Sequence, residues 1–129
     1  MIFSGSNVIN GKEVSHINLI LNSLIPKDKR SPELIIKSQT RRLSGRYIVG
    51  HLYAIQPKRT AKGLSDVKIH IDYKWRETRL CPGVILVSKE EAWAEGGYTP
   101  QAYENLFEKM YPGWTNRWAY EFHPVQVSE

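Results

Sequence analysis

Apolar residues recur at Val14, Ile17, Ile20, Leu21 and Leu24, the three-and-four spacing of one helix face. Ser15 stands where an N-cap belongs. The run Arg46–Gln56 is rich in β-branched and aromatic residues and predicts a strand. Strict alternation follows: Val67, Ile69, Ile71 and Tyr73 on one side, Lys68, His70 and Asp72 on the other. That is a half-buried strand, and its pattern extends through Trp75, Glu77 and Arg79. A last strand alternates Trp118, Tyr120 and Phe122 against Ala119, Glu121 and His123. Met1–Phe3 can begin a first strand, and Gly83–Val87 reads as a strand or a strand-like approach.

Helix signals fall between these runs. Ser31-Pro32-Glu33 has an N-cap, a proline at the first position and an acid in the first turn. Ser88 with Glu91 forms a capping-box pattern that opens a helix ending near Gly96-Gly97. Thr99-Pro100 opens another over Pro100–Met110, with Tyr103, Leu106, Phe107 and Met110 on one face. Tyr111-Pro112-Gly113 stops it. Mixed strands and short helices without a βαβ rhythm predict an α+β fold, a small curled β-barrel of five to six strands with helices over its ends. The 129 residues suit one domain over 1–129, with residues 4–30 an N-terminal extension or insertion.

Composition narrows the setting. No apolar run approaches the ~20 residues of a membrane helix. The start, Met1-Ile2-Phe3-Ser4-Gly5, lacks the basic and long apolar regions of a signal peptide. The single cysteine, Cys81, excludes an internal disulfide. A cytoplasmic protein with no membrane partner is expected. His16, His51, His70 and His123 show no ligand spacing, so no metal and no cofactor is expected.

Charge changes the picture more. The net +5 is unevenly spread: residues 27–79 hold fourteen basic and five acidic side chains, a surplus of nine. Residues 80–129 hold three basic and seven acidic, a deficit of four. A basic centre beside an acidic second half points to a polyanion, of which RNA or a nucleotide is the usual case.

Two clusters carry candidate chemistry. Lys37-Ser38-Gln39-Thr40-Arg41-Arg42 puts three cations and a hydroxyl within six residues. If residues 37–40 form a helical turn, Lys37 and Thr40 share a face. The pair would then hold an anion, or a lysine with lowered pKa would activate the threonine. A solvated basic turn is the plain alternative. Arg41, Arg42 and the loop cations Lys58, Arg59 and Lys62 are candidate ligand contacts, and Arg41 is expected to face solvent or phosphate. In the second cluster, Glu95 sits at a helix end where the dipole opposes a carboxylate, beside two glycines that permit close approach. Trp93, two residues earlier, is a candidate stacking surface.

These blocks resemble the ASCH domain family of the PUA-like superfamily, in the style of its phage and prophage members. Lys37, Thr40 and Arg42 match the last three fixed positions of Gly-x-Lys-x-x-Thr-x-Arg, with Ile35 at the glycine position. Gly50-His51-Leu52-Tyr53-Ala54-Ile55 resembles the strand entry that follows. Ala92-Trp93-Ala94-Glu95-Gly96 resembles an Ala-x-x-Glu-Gly segment, and Tyr111-Pro112-Gly113 with Trp118–Phe122 the closing turn and strand. The blocks occur in family order from about residue 31 to 124. The resemblance implies a PUA-like barrel whose cleft takes RNA or a nucleoside. One ASCH subfamily hydrolyses N(4)-acetylcytidine, which would make Lys37 the activating base, Thr40 the nucleophile and Glu95 the proton-handling residue. Other members bind RNA, and one kind cleaves single-stranded RNA. A vestigial cleft serving as a protein adaptor is the remaining expectation.

Overall fold

Asn10 and Gly11 both adopt positive φ, 52° and 78°, the geometry a tight two-residue hairpin turn requires. They join β1 (Ser6–Ile9) to β2 (Lys12–Ser15) as an antiparallel pair. The computed structural model describes residues 1–127; the last two positions of the expected 1–129 domain lie outside them. The hairpin leads directly into α1 (His16–Leu21), whose Asn18 N–H is capped by the Ser15 hydroxyl. Leu19 and Ile20 are buried, and Ile20 joins the larger core.

The main sheet has four strands in the order β3 (Gln39–Arg42), β6 (Asn116–Gln126), β5 (Val67–Thr78), β4 (Leu52–Ala54), all antiparallel. Among the described residues the fold is therefore α+β, with six strands in two sheets, the larger one curled into a half-barrel, and short helices. Phe3, Ile20, Ile55, Ile69, Ile71, Tyr120 and Phe122 form the larger core on one face. Helices α2 (Lys89–Ala94) and α3 (Pro100–Met110) build a second cluster of Val87, Ala92, Tyr103, Phe107 and Trp114. Arg117 lies over the Tyr103, Phe107 and Trp114 rings, and alternation along β6 turns it away from Tyr120 and Phe122.

A β-bulge reconciles the two faces. Ile71 pairs with Phe122 and Tyr73 with Glu121, leaving Asp72 as the extra residue. Beyond it the parity of β5 reverses. Tyr73, expected inside with Ile71, is 65% exposed, and Lys74 instead lies over the Trp118 and Tyr120 rings.

Other expectations are corrected. No helix forms over 31–36. Ser31–Leu34 is a single turn, and tertiary bonds hold the chain open after it: Asn22 Nδ2 donates to Ile35 O at 3.0 Å and Lys37 N–H to Leu19 O at 3.1 Å. Residues 39–42 are strand, not a helical turn, because β6 supplies their partners. The strand expected over Arg46–Gln56 shrinks to Leu52–Ala54, since Gly50 turns the chain with φ 89°. Residues 83–87 are irregular; Leu86 and Val87 donate their N–H groups to Glu104 instead of a neighbouring strand. On α3, Met110 is exposed while Glu104 is buried, because its carboxylate takes those N–H groups and Arg117. The capping box of α2, the Thr99 cap of α3 and the last strand match the sequence reading.

Candidate functional site

The sequence clusters around Lys37 and Glu95 meet in space. Glu95 is the C-cap of α2 and only 2% exposed. The Lys37 ammonium donates to Glu95 Oε1 at 3.2 Å, to the Glu95 carbonyl at 2.6 Å and to the Gln39 carbonyl at 2.8 Å. An ammonium has three protons, and those three acceptors engage all of them. Burial pushes the Lys37 pKa down, with Glu95 opposing. Burial also pushes Glu95 up, but Lys37 and Arg41 outweigh it and hold the carboxyl below its ordinary range.

Arg41 is the surprise of the cluster. It is 3% exposed, not solvent-facing. Its guanidinium donates to Glu77 twice (2.9 and 3.0 Å), Glu91 (2.7 Å), Glu95 (2.7 Å) and Gln39 (3.1 Å). A guanidinium has five N–H groups, so none is left for a phosphate. Burial works against its charge, yet Glu77 and Glu95 raise its pKa above the ordinary value. Glu77 also accepts from Arg117, which pairs with Glu104, so the network runs between the sheet and both helices. As a ligand contact Arg41 is corrected: it is an internal tie.

Thr40 pairs with Tyr120 and Arg41 with Ala119, so the two side chains leave β3 on opposite faces. Thr40 is buried and makes no hydrogen bond to Lys37 or Glu95. Arg42 donates to Ile2 O at 2.6 Å and lies 5.0 Å over the Phe3 ring; its buried Nε has no partner. Lys58, Arg59 and Lys62 are exposed, and Trp93 is 50% exposed on α2.

The N-terminal hairpin closes over this cluster. Asn7 Nδ2 donates to Gly96 O at 2.8 Å, the Tyr98 hydroxyl to Ser6 O at 3.3 Å, and His16 Nε2 meets that hydroxyl at 2.9 Å. Burial, then the charge of Lys37, lowers the His16 pKa to about 4, which keeps it neutral near pH 7. Gly97 fits here for a steric reason: its φ is 84°, and an added Cβ would stand 2.8 Å from Ile35.

An open concavity lies elsewhere. A cleft of about 730 Å³ is lined by Ile2, Arg46, Tyr47, Tyr53, Gln56 and Arg59, among others. Tyr47 packs edge-on against Tyr53 with ring centroids 5.0 Å apart. The Arg46 guanidinium lies 5.0 Å over Tyr47 and donates to its hydroxyl at 2.9 Å. Of the cations expected to touch a ligand, only Arg59 lines this cleft. Arg46, Tyr47 and Tyr53 were hidden in an apparent strand; the Arg-Tyr dipeptide and the Tyr beyond Gly50 were the available signal.

Among the described residues, the side chains able to hold a metal together are His70, Asp72 and His123, on the surface of β5 and β6. No helix among the described residues is long and apolar enough to cross a membrane. Comparison with family models, with curated proteins and with solved structures yields no match to this chain.

Proposed function

We propose that this protein binds RNA or a nucleotide in the cleft between Arg46 and Arg59. The carrying observation is the pairing of two guanidinium groups with a tyrosine wall in one open concavity. Cations that meet phosphate beside rings that meet a base are what single-stranded nucleic acid requires. The +9 surplus of residues 27–79 supports the same ligand class, with Lys58 and Lys62 on the adjoining loop. The basic cluster at 37–42 is not the gripping surface in this reading, since Lys37 and Arg41 have spent their donors internally.

The test is fluorescence anisotropy with a labelled single-stranded RNA over a salt series. Affinity falls steeply with salt, because phosphate contacts release counterions. The double variant Arg46→Ala, Arg59→Ala weakens binding about tenfold or more, by analogy with the loss of two charged contacts. No binding at low salt, or equal binding by the double variant, overturns the reading.

A second reading follows the ASCH-like motif. It takes the protein as a PUA-like amidohydrolase of a modified pyrimidine nucleoside such as N(4)-acetylcytidine. The observation favouring it is that Lys37 and Glu95, 58 residues apart, do meet, in a buried site where the lysine pKa is lowered. Turnover requires the hairpin to open and Thr40 to reach the lysine. Chromatography of cytidine released from N(4)-acetylcytidine tests it: turnover that vanishes in Thr40→Ala supports the reading, and no turnover removes that substrate.

A further inference from the structure

We propose that His70, Asp72 and His123 bind one divalent transition-metal ion of the zinc class. The three side chains come from two neighbouring strands. His70 and His123 are direct cross-strand partners, with rings 5.3 Å apart. The bulge supplies the third ligand. Without it, Asp72 would take its own cross-strand partner; as the extra residue, it turns its carboxylate onto both imidazoles.

The distances suit a metal. Asp72 Oδ1 lies 2.8 Å from His70 Nδ1, and Asp72 Oδ2 lies 2.8 Å from His123 Nδ1. One ligand atom from each residue falls within 4.8 Å of the others. Zinc bonds of ~2.0–2.2 Å in tetrahedral geometry set ligand atoms about 3.3 Å apart. Seating an ion therefore requires the imidazoles to move outward by about half an ångström, within side-chain reach. Both Nδ1 atoms converge on one carboxylate through hydrogen bonds, and an ion seated among the three takes the place of the protons in those bonds.

The donor set selects the ion class. Two imidazoles and one carboxylate suit zinc, cobalt, nickel or copper rather than calcium or magnesium, which prefer oxygen. The side chains of His70, Asp72 and His123 are 34%, 26% and 55% exposed, so the remaining coordination positions open to solvent. This site is independent of the cleft and of the buried Lys37–Glu95 pair. Sequence spacing did not reveal it, because His123 lies far along the chain from His70; the signal was that all three fall on the polar sides of alternating strands.

The experiment is calorimetric titration of the purified full chain with zinc chloride in a non-coordinating buffer, paralleled by visible absorption with cobalt(II). One ion per chain is expected, with micromolar affinity and the cobalt bands of a low-coordinate site. His123→Ala and Asp72→Asn each weaken binding at least about tenfold. Cys81→Ser, which removes the exposed free thiol, leaves binding unchanged. Binding that is absent in the wild type, or undiminished in His123→Ala, overturns the proposal. Because a variant can lose structure, imidazole ¹H–¹⁵N spectra of the wild type give a second reading. Zinc must shift the ring signals of His70 and His123; zinc-induced shifts confined to His16 or His51 also overturn it.

Discussion

The Lys37 ammonium holds Glu95 twice, by its main-chain carbonyl at 2.6 Å and by its carboxylate at 3.2 Å. The lysine thereby fixes both the end of α2 and the direction of the acid. Arg41 completes the grip from the other oxygen at 2.7 Å.

Glu95→Gln is expected to destabilise the fold by about 3–5 kcal/mol, because it leaves two buried cations short of their shared anion. Thr40→Val removes a hydroxyl that bonds to neither Lys37 nor Glu95. It should change stability by less than about 1.5 kcal/mol. Urea denaturation of both variants separates the residue that ties the cluster together from one that does not.

Gly97→Ala tests the packing of the turn after α2 against Ile35. The substitution meets a φ of 84° and the Ile35 side chain at 2.8 Å. Strain and overpacking together predict a loss of about 2–4 kcal/mol. Gly113→Ala has a similar φ of 75° with nothing within 4 Å, and should lose only about 1 kcal/mol. Thermal melts of the pair distinguish a steric contact from backbone strain alone.

Stability should fall with acid in a window set by His16. Its folded pKa of about 4 lies below the ordinary 6.5, so the unfolded chain binds the proton first. The His16 contribution is full above pH 6.5 and declines as pH drops toward 4, by at most about 3 kcal/mol. His16→Gln flattens that part of the profile in denaturation curves taken between pH 7 and 4.5. Glu95, with its depressed pKa, adds a loss only below its unfolded range near 4.5.

Elements with a strong local signal were legible: the Ser15, Ser88 and Thr99 caps and the alternation of β6 each appear where the residues put them. The failures share a physical cause, which is competition from distant partners. Ser31-Pro32-Glu33 has helix-start chemistry, but α1 claims the backbone that follows. Asn10-Gly11 was a strong hairpin signal that the polar residues around it concealed. In the site, Lys37 and Glu95 come from the two clusters that the residues singled out, whereas the burial of Arg41 rests on three acids from β5 and α2 that no spacing links to it. Arg46 and Tyr53 face one cleft because Gly50 folds the chain between them, which a linear pattern reads as continuous strand.

The bulge at Asp72 has an effect beyond its own neighbourhood. One surplus residue lets a single strand present aliphatic side chains to the larger core at one end, and Trp75 and Glu77 to the helices at the other. A regular strand that kept Asp72 in the ladder would swap inside for outside along the second half of β5: Lys74 and Arg76 would point at Arg41 and Arg117, and the acid joining those two arginines would be carried to the opposite side. The bulge thus sets which residues of this half-strand face the helices as strictly as composition does, and deletion of Asp72 alone should leave the pairing from Tyr73 to Thr78 in place.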